Sequence, residues 1–153
     1  MSHPSSDAPV RFKVRWGDLD ANNHMANVAF LSRATDTRCE YFDRWGFPVS
    51  RFAVERIGPV VLREEIIYRK ELRLQDEFTV DLRVTGISSD GIRFSLQHTF
   101  RDASGQVVAV VTSEGLWFDI DSRRPRAPPP DLDAAQRALP RADSYIELPA
   151  RSP

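Results

Sequence analysis

Val10, Phe12, Val14 and Trp16 alternate with Arg11, Lys13 and Arg15, the period-two pattern of a strand with one buried face. The next residues, Gly17 to Asn23, are mostly Gly, Asp and Asn, which tolerate left-handed backbone or bond nearby amides, and they predict a turn. Beyond it Phe30, Leu31, Ala34, Tyr41, Phe42 and Trp45 recur at helical spacing. Their stripe is wider than one face, so a helix over 27–45 is predicted to be buried on several sides and to stop at Gly46 and Pro48. Runs over 60–70, 78–87, 92–101 and 107–120 are rich in β-branched and aromatic residues and predict four strands. In the run from 78, Phe78, Val80, Leu82 and Val84 face one way and Thr79, Asp81, Arg83 and Thr85 the other. Ser88–Gly91 and Asp102–Gly105 predict hairpin turns between the last three runs. From Ser122 onward the chain is Pro-rich, with a short helix predicted near 132–139. Proline lacks the ladder donor, so this tail is expected outside the central sheet. Tyr145, Ile146 and Leu148 predict that it still packs back on the body. The plan is α+β: one long helix covers an antiparallel sheet. It divides into a flexible 1–8, a domain over 9–121 and a C-terminal extension over 122–153 packed on that domain.

Composition narrows the functional classes. A chain of 153 residues is enough for one domain, and 41% hydrophobic with 28% charged residues suits a packed core. The longest aliphatic run, Val107–Val111, is far short of the ~20 residues that span a bilayer. The first residues have neither the basic flank nor the apolar stretch of a secretory signal. Lys and Arg number 21 against 22 Asp and Glu, which leaves no cationic field for nucleic acid or anionic lipid. Cys39 is the single cysteine, so no intrachain disulfide can form; it is read as a small core residue of the helix. A cytoplasmic protein with no membrane or nucleic-acid partner is expected.

Phosphate-loop, dinucleotide and nucleophile-elbow motifs are absent from the sequence. Asp18, Asp20 and Asn22 match the first three ligands of a calcium loop, but Asn23 replaces the required glycine and Ala29 the closing glutamate. No metal or redox cofactor is expected. What remains is Asp18 to Asn27, two carboxylates, a histidine and three asparagines between a strand and a helix start. First-turn amides lack intrahelical partners and can hold a developing oxyanion. A nearby carboxylate can attack a carbonyl or activate water. A plain turn and helix cap would use the same residue types without chemistry.

The stretch Val14 to Phe30 resembles the signature of hot-dog-fold acyl-CoA thioesterases of the 4-hydroxybenzoyl-CoA thioesterase-like family, approximately D-x-D-x-x-x-H-x-N-N-x-x-Y. The resemblance implies a long central helix wrapped by a five-stranded antiparallel sheet. It places Asp20 on the catalytic carboxylate, His24 on the histidine and Asn27 on the second asparagine, while Ala26 and Phe30 depart from the pattern. It further implies an acyl-CoA substrate, no cofactor, and a homodimer or homotetramer with sites between subunits. A thiolate leaves readily because its pKa is near ~8.5, so few groups are needed. Asp20 is then nucleophile or general base, Asn27 marks the oxyanion amides, and His24 shapes the loop or touches the thioester. Asp18 is the second candidate carboxylate and is expected to fix the turn. Acyl-carrier-protein thioesters, a hydratase reaction and a non-catalytic acyl-thioester-binding module are the alternatives.

Glu64 and His98 interrupt apolar phases, Leu62–Glu64–Ile66–Tyr68 and Phe94–Leu96–His98–Phe100. Each is either a paired core group or, with Phe30, part of an acyl pocket. Arg123, Arg124 and Arg126 are either a solvated tail or contacts to CoA phosphates.

Overall fold

The computed structural model describes residues 7–150. Most of the segment expected to be flexible, 1–8, lies outside the described residues. Asp7 and Ala8 are tied down: their carbonyls accept from the Tyr41 hydroxyl at 3.1 Å each.

The elements are β1 (Val10–Lys13), α1 (Asn27–Arg44), α2 (Ser50–Glu55), β2 (Ile57–Tyr68), β3 (Glu77–Ser88), β4 (Arg93–Asp102), β5 (Val107–Asp119), β6 (Arg124–Pro125), α3 (Pro130–Ala138) and β7 (Arg141–Leu148). Five strands run antiparallel in the order β1-β3-β4-β5-β2, and α1 lies against them. This is the α+β hot-dog arrangement. Both hairpin glycines, Gly91 and Gly105, take positive φ, as such turns require.

The first strand is shorter than expected. It ends at Lys13, because Val14 bonds outward to the β2–β3 loop, from its amide to the Asp76 carbonyl (2.9 Å) and to its carbonyl from the Gln75 amide (2.9 Å). Trp16–Asp18 then winds into a 3-10 turn. Helix α2 has no signal in the local pattern, where Pro48 marks only a stop, and the short helix is closed by Arg56 in the left-handed region. Pro59 fits in β2 because that strand is the sheet edge, where a missing N–H is tolerated.

The tail corrects the expectation that prolines keep it out of the sheet. Pro140 and Pro149 bracket β7 rather than interrupt it, and β7 pairs parallel with β3 along Val84–Ser88. β1 covers the other half of the same edge, Glu77–Val80. Gly86 makes this docking possible: a Cβ there would lie 2.8 Å from the Leu148 side chain. β6 also joins, beside β5.

Two buried clusters line the helix-facing side. One holds Tyr41, Phe42, Leu82, Phe94, Trp117 and Leu132; the other holds Met25, Phe30, Ala34, Phe78, Val80 and Phe100. Helix α3 closes the first by a polar latch. Trp117 Nε1 donates to Gln136 Oε1 (2.9 Å), and Gln136 Nε2 donates to the Gly91 carbonyl (2.9 Å).

Candidate active site

The loop between β1 and α1 is folded by its own carboxylates. Asp18 accepts from the Arg15 amide (2.9 Å) and from Arg33 Nη2 (3.0 Å), and its carbonyl accepts from the Ala26 amide (2.8 Å). Asp18 is thereby committed to the turn, and Arg33, which no local pattern marks, is its counter-ion. Asp20 holds the tip. Its Oδ1 accepts from the amides of Asn22 (2.8 Å) and His24 (3.2 Å). Its Oδ2 makes no hydrogen bond among the described residues, and the residue is exposed. Asn23 supplies the left-handed backbone (φ 60°) that lets the chain reverse.

His24 is fixed from the far side. Its Nε2 lies 3.0 Å from Glu71 Oε2 in the loop between β2 and β3. Glu71 also accepts from Arg73 Nη2 (2.7 Å). Arg73, with a smaller contribution from His24, holds the Glu71 carboxyl below its ordinary range. No sequence signal marks Glu71, because its link to His24 exists only across the fold.

Helix α1 begins beside this loop with Ala26 as N-cap and no side-chain cap. Alanine is a poor cap, costing about 1 kcal/mol against Asn or Ser, but it leaves the first amides free for a ligand. Asn27 and Val28 are exposed, and their amides have no intrahelical acceptor. The loop thus brings together an open carboxylate oxygen, a positioned imidazole and a helix N-terminus.

Phe30, Glu64 and His98 lie elsewhere. Phe30 is buried against Tyr68 and Phe100, with ring centroids at 5.5 and 5.1 Å. Glu64 faces Ser113 across the β2–β5 pair and accepts from its hydroxyl (3.0 Å). Arg38 on α1 donates to that same hydroxyl (3.0 Å). Ser113 interrupts the apolar phase of Val111 and Trp117, so the rule that marked Glu64 and His98 would also have found it. His98 is fully buried with Nδ1 3.2 Å from the Val111 carbonyl. Burial first, and the Arg38 charge second, depress its pKa to about 3. Cys39 is half-buried and lines the cavity between α1 and the sheet. Arg126 pairs with Asp119 (3.5 Å), and Arg123 lies over the Phe118 ring (5.3 Å). Both anchor the extension where β2 begins; the His24 loop stands where β2 ends.

Comparison with known families decides the affiliation. The model of the thioesterase-like superfamily matches residues 14–136. The chain belongs to that superfamily. No curated protein sequence gives a significant match. Among solved structures, the fold is similar to a DHNA-CoA thioesterase from Staphylococcus aureus, with a TM-score of 0.78 and 16% identity over 85% of this chain and 88% of that one. It is also similar to a gentisyl-coenzyme A thioesterase, with a TM-score of 0.75 and 19% identity over 84% and 98%. A hypothetical Staphylococcus aureus protein solved with CoA matches at a TM-score of 0.77 and 20% identity over 99% and 92%. Among the described residues, no helix is long and apolar enough to cross a membrane.

Proposed function

We propose that the protein hydrolyses acyl-CoA thioesters to the free acid and CoA, with Asp20 as the catalytic carboxylate. The observation that carries this reading is the state of Asp20. One carboxylate oxygen is fixed by two amides while the other is open, beside a helix start whose first amides are free. As a nucleophile, Oδ2 would attack the thioester carbonyl, expel the CoA thiolate and form a mixed anhydride that water cleaves. As a base, it would take a proton from water as that water attacks, and the proton would pass to the departing thiolate. Either way the oxyanion would rest on the amides at Asn27 and Val28. His24, held by Glu71, would position the thioester. A groove of about 850 Å³ next to the loop is lined by Arg11, Lys13, Arg15, Arg33 and Arg101 together with Asp36, Glu77 and Asp102, an excess of cations that suits the phosphates of CoA.

The free β2 edge supports a homodimer. Val61, Leu62, Ile67 and Tyr68 are exposed there, Leu62 by 63%, flanking Arg63, Glu64 and Glu65. An unpaired edge of 12 residues with apolar side chains exposed on both sides of its charged centre is a hazard that pairing removes. Antiparallel pairing of two β2 edges about Glu64 and Glu65 would set Val61 opposite Tyr68 of the partner subunit. Each Asp20 loop would then stand near the other subunit's helix–sheet cavity.

The test is release of free thiol from a panel of aliphatic and aromatic acyl-CoAs, with acyl-carrier-protein thioesters alongside and the mass measured by light scattering. Acyl-CoA turnover by a dimer or tetramer is expected. Tight binding without thiol release would point to a binding module instead, and a fully active monomer would refute the shared site.

A further inference from the structure

Resting on the thioesterase reading, we propose that Gln136 of the C-terminal extension sets the acyl-chain length by closing the far end of the cavity between α1 and the sheet. That cavity holds about 210 Å³. Val61 on the free β2 edge and Thr35 on α1 line it, as do Phe42, Phe94, Trp117 and Gln136.

Two directions show which end is closed. Across the sheet the order is β2-β5-β4-β3, so a chain entering at the β2 edge passes Trp117 on β5 before the turn that joins β3 to β4. Along α1, at about 1.5 Å per residue, Thr35 stands about 12 Å from Asn27 and Phe42 about 22 Å. The Phe42 ring packs on Trp117 with centroids 5.9 Å apart. Trp117 bonds Gln136, and Gln136 bonds Gly91 in the β3–β4 turn. By either route these residues come last.

Gln136 is built as a wall. It is 3% exposed. Its Oε1 accepts from Trp117 Nε1 (2.9 Å), and its Nε2 donates to the Gly91 carbonyl (2.9 Å) and to Asp133 Oδ1 (2.8 Å). Both amide protons are used, and swinging the side chain aside would strand buried polar groups. Gly91 preserves the space, since a Cβ there would lie 3.2 Å from Gln136 Nε2 and 2.5 Å from Asp133 Oδ1. Leu132 and Leu139 are buried on the same helix and hold α3 in place. With the indole N–H and the amide protons all engaged, this end has no donor to spare and suits the methyl end of a hydrocarbon chain. The charged lining residue, Arg38, lies at the other end, where it donates to Thr35 Oγ1 (2.9 Å). The closure therefore comes from α3, outside the five-stranded sheet and α1.

A cavity of about 150 Å³ takes the six carbons of benzene, so one of about 210 Å³ takes about eight. Gln136→Ala deletes four heavy atoms, and a buried site that relaxes only in part would admit about two to four more carbons.

The experiment measures kcat/KM of the full chain for straight-chain acyl-CoAs in even steps from butanoyl to hexadecanoyl. In wild type the value should climb to an optimum and fall by about 10-fold or more for the next longer substrate. Gln136→Ala should move the optimum up by about two to four carbons. Gln136→Met loses the same hydrogen bonds but keeps the volume, so it should leave the optimum in place. A wild type indifferent to length, an unmoved optimum in Gln136→Ala, or an equal shift in Gln136→Met overturns the inference. If Gln136→Ala does not fold, the wild type is titrated with 8-bromooctanoic and 2-bromooctanoic acids, because bromine quenches indole emission on contact. Quenching of the buried Trp117 by the 8-bromo isomer alone upholds the inference, and equal or absent quenching by both overturns it. If no thioester is cleaved, the hydrolase reading fails, and the same titration still decides whether the chain end is seated against Trp117 and Gln136.

Discussion

Replacing His98 with Leu should flatten the acid side of the stability profile. The imidazole is buried beneath α1 and stays neutral in the folded protein down to pH about 3, whereas the unfolded chain protonates it near 6.5. Above 6.5 both states are neutral and folding gains nothing from the difference. Below it the unfolded state binds a proton that the folded state refuses, so stability falls as pH falls toward 3. At pH 5 the gap is about 1.5 pH units, worth about 2 kcal/mol, or about 4–8 °C in Tm for a chain of this size. The assay is urea unfolding at pH 7.5 and 5.0, followed by tryptophan fluorescence at fixed protein concentration. The packing effect of Leu is common to both pH values, so only the difference between them reports the titration. All other acids and histidines are common to the two proteins. Wild type should lose about 2 kcal/mol more than His98→Leu between the two conditions. Equal losses would show that His98 accepts its proton in the folded state and that the burial argument is wrong.

Asp20→Asn should cut turnover by about 10²–10⁴-fold with an unchanged circular dichroism spectrum; activity within a few-fold of wild type would remove Asp20 from the reaction. Asp18→Asn should instead cost about 1–3 kcal/mol of stability, read by urea midpoint, since Arg33 and the Arg15 amide lose their charged acceptor. Gln136→Leu leaves Trp117 Nε1 and the Gly91 carbonyl without their partner and should cost about 1–3 kcal/mol, measured the same way. Deleting the chain from Ala142 onward strips β7 from the β3 edge and should lower Tm by calorimetry while leaving part of the activity; an unchanged Tm would contradict the pairing at Gly86.

Local pattern was enough to determine much of this molecule. The period-two run from Phe78, the wide apolar stripe of α1 and the Gly-containing turns at 91 and 105 report neighbours close in sequence, and the observed elements follow them. The spacing from Asp18 to Asn27 likewise marked the loop, because Asx turns and helix starts are local events. What the tertiary structure decided is long-range. Glu71 reaches His24, Arg33 reaches Asp18 and Arg38 reaches Ser113 only after the sheet has formed, and no pattern along the chain encodes those distances. The tail shows the same limit. Its prolines argued against a strand, yet β7 fits between Pro140 and Pro149 because β1 leaves half of the β3 edge unpaired and Gly86 leaves room for Leu148. A vacant ladder edge belongs to the assembled sheet, and hydrogen-bond donors left there override a weak local propensity.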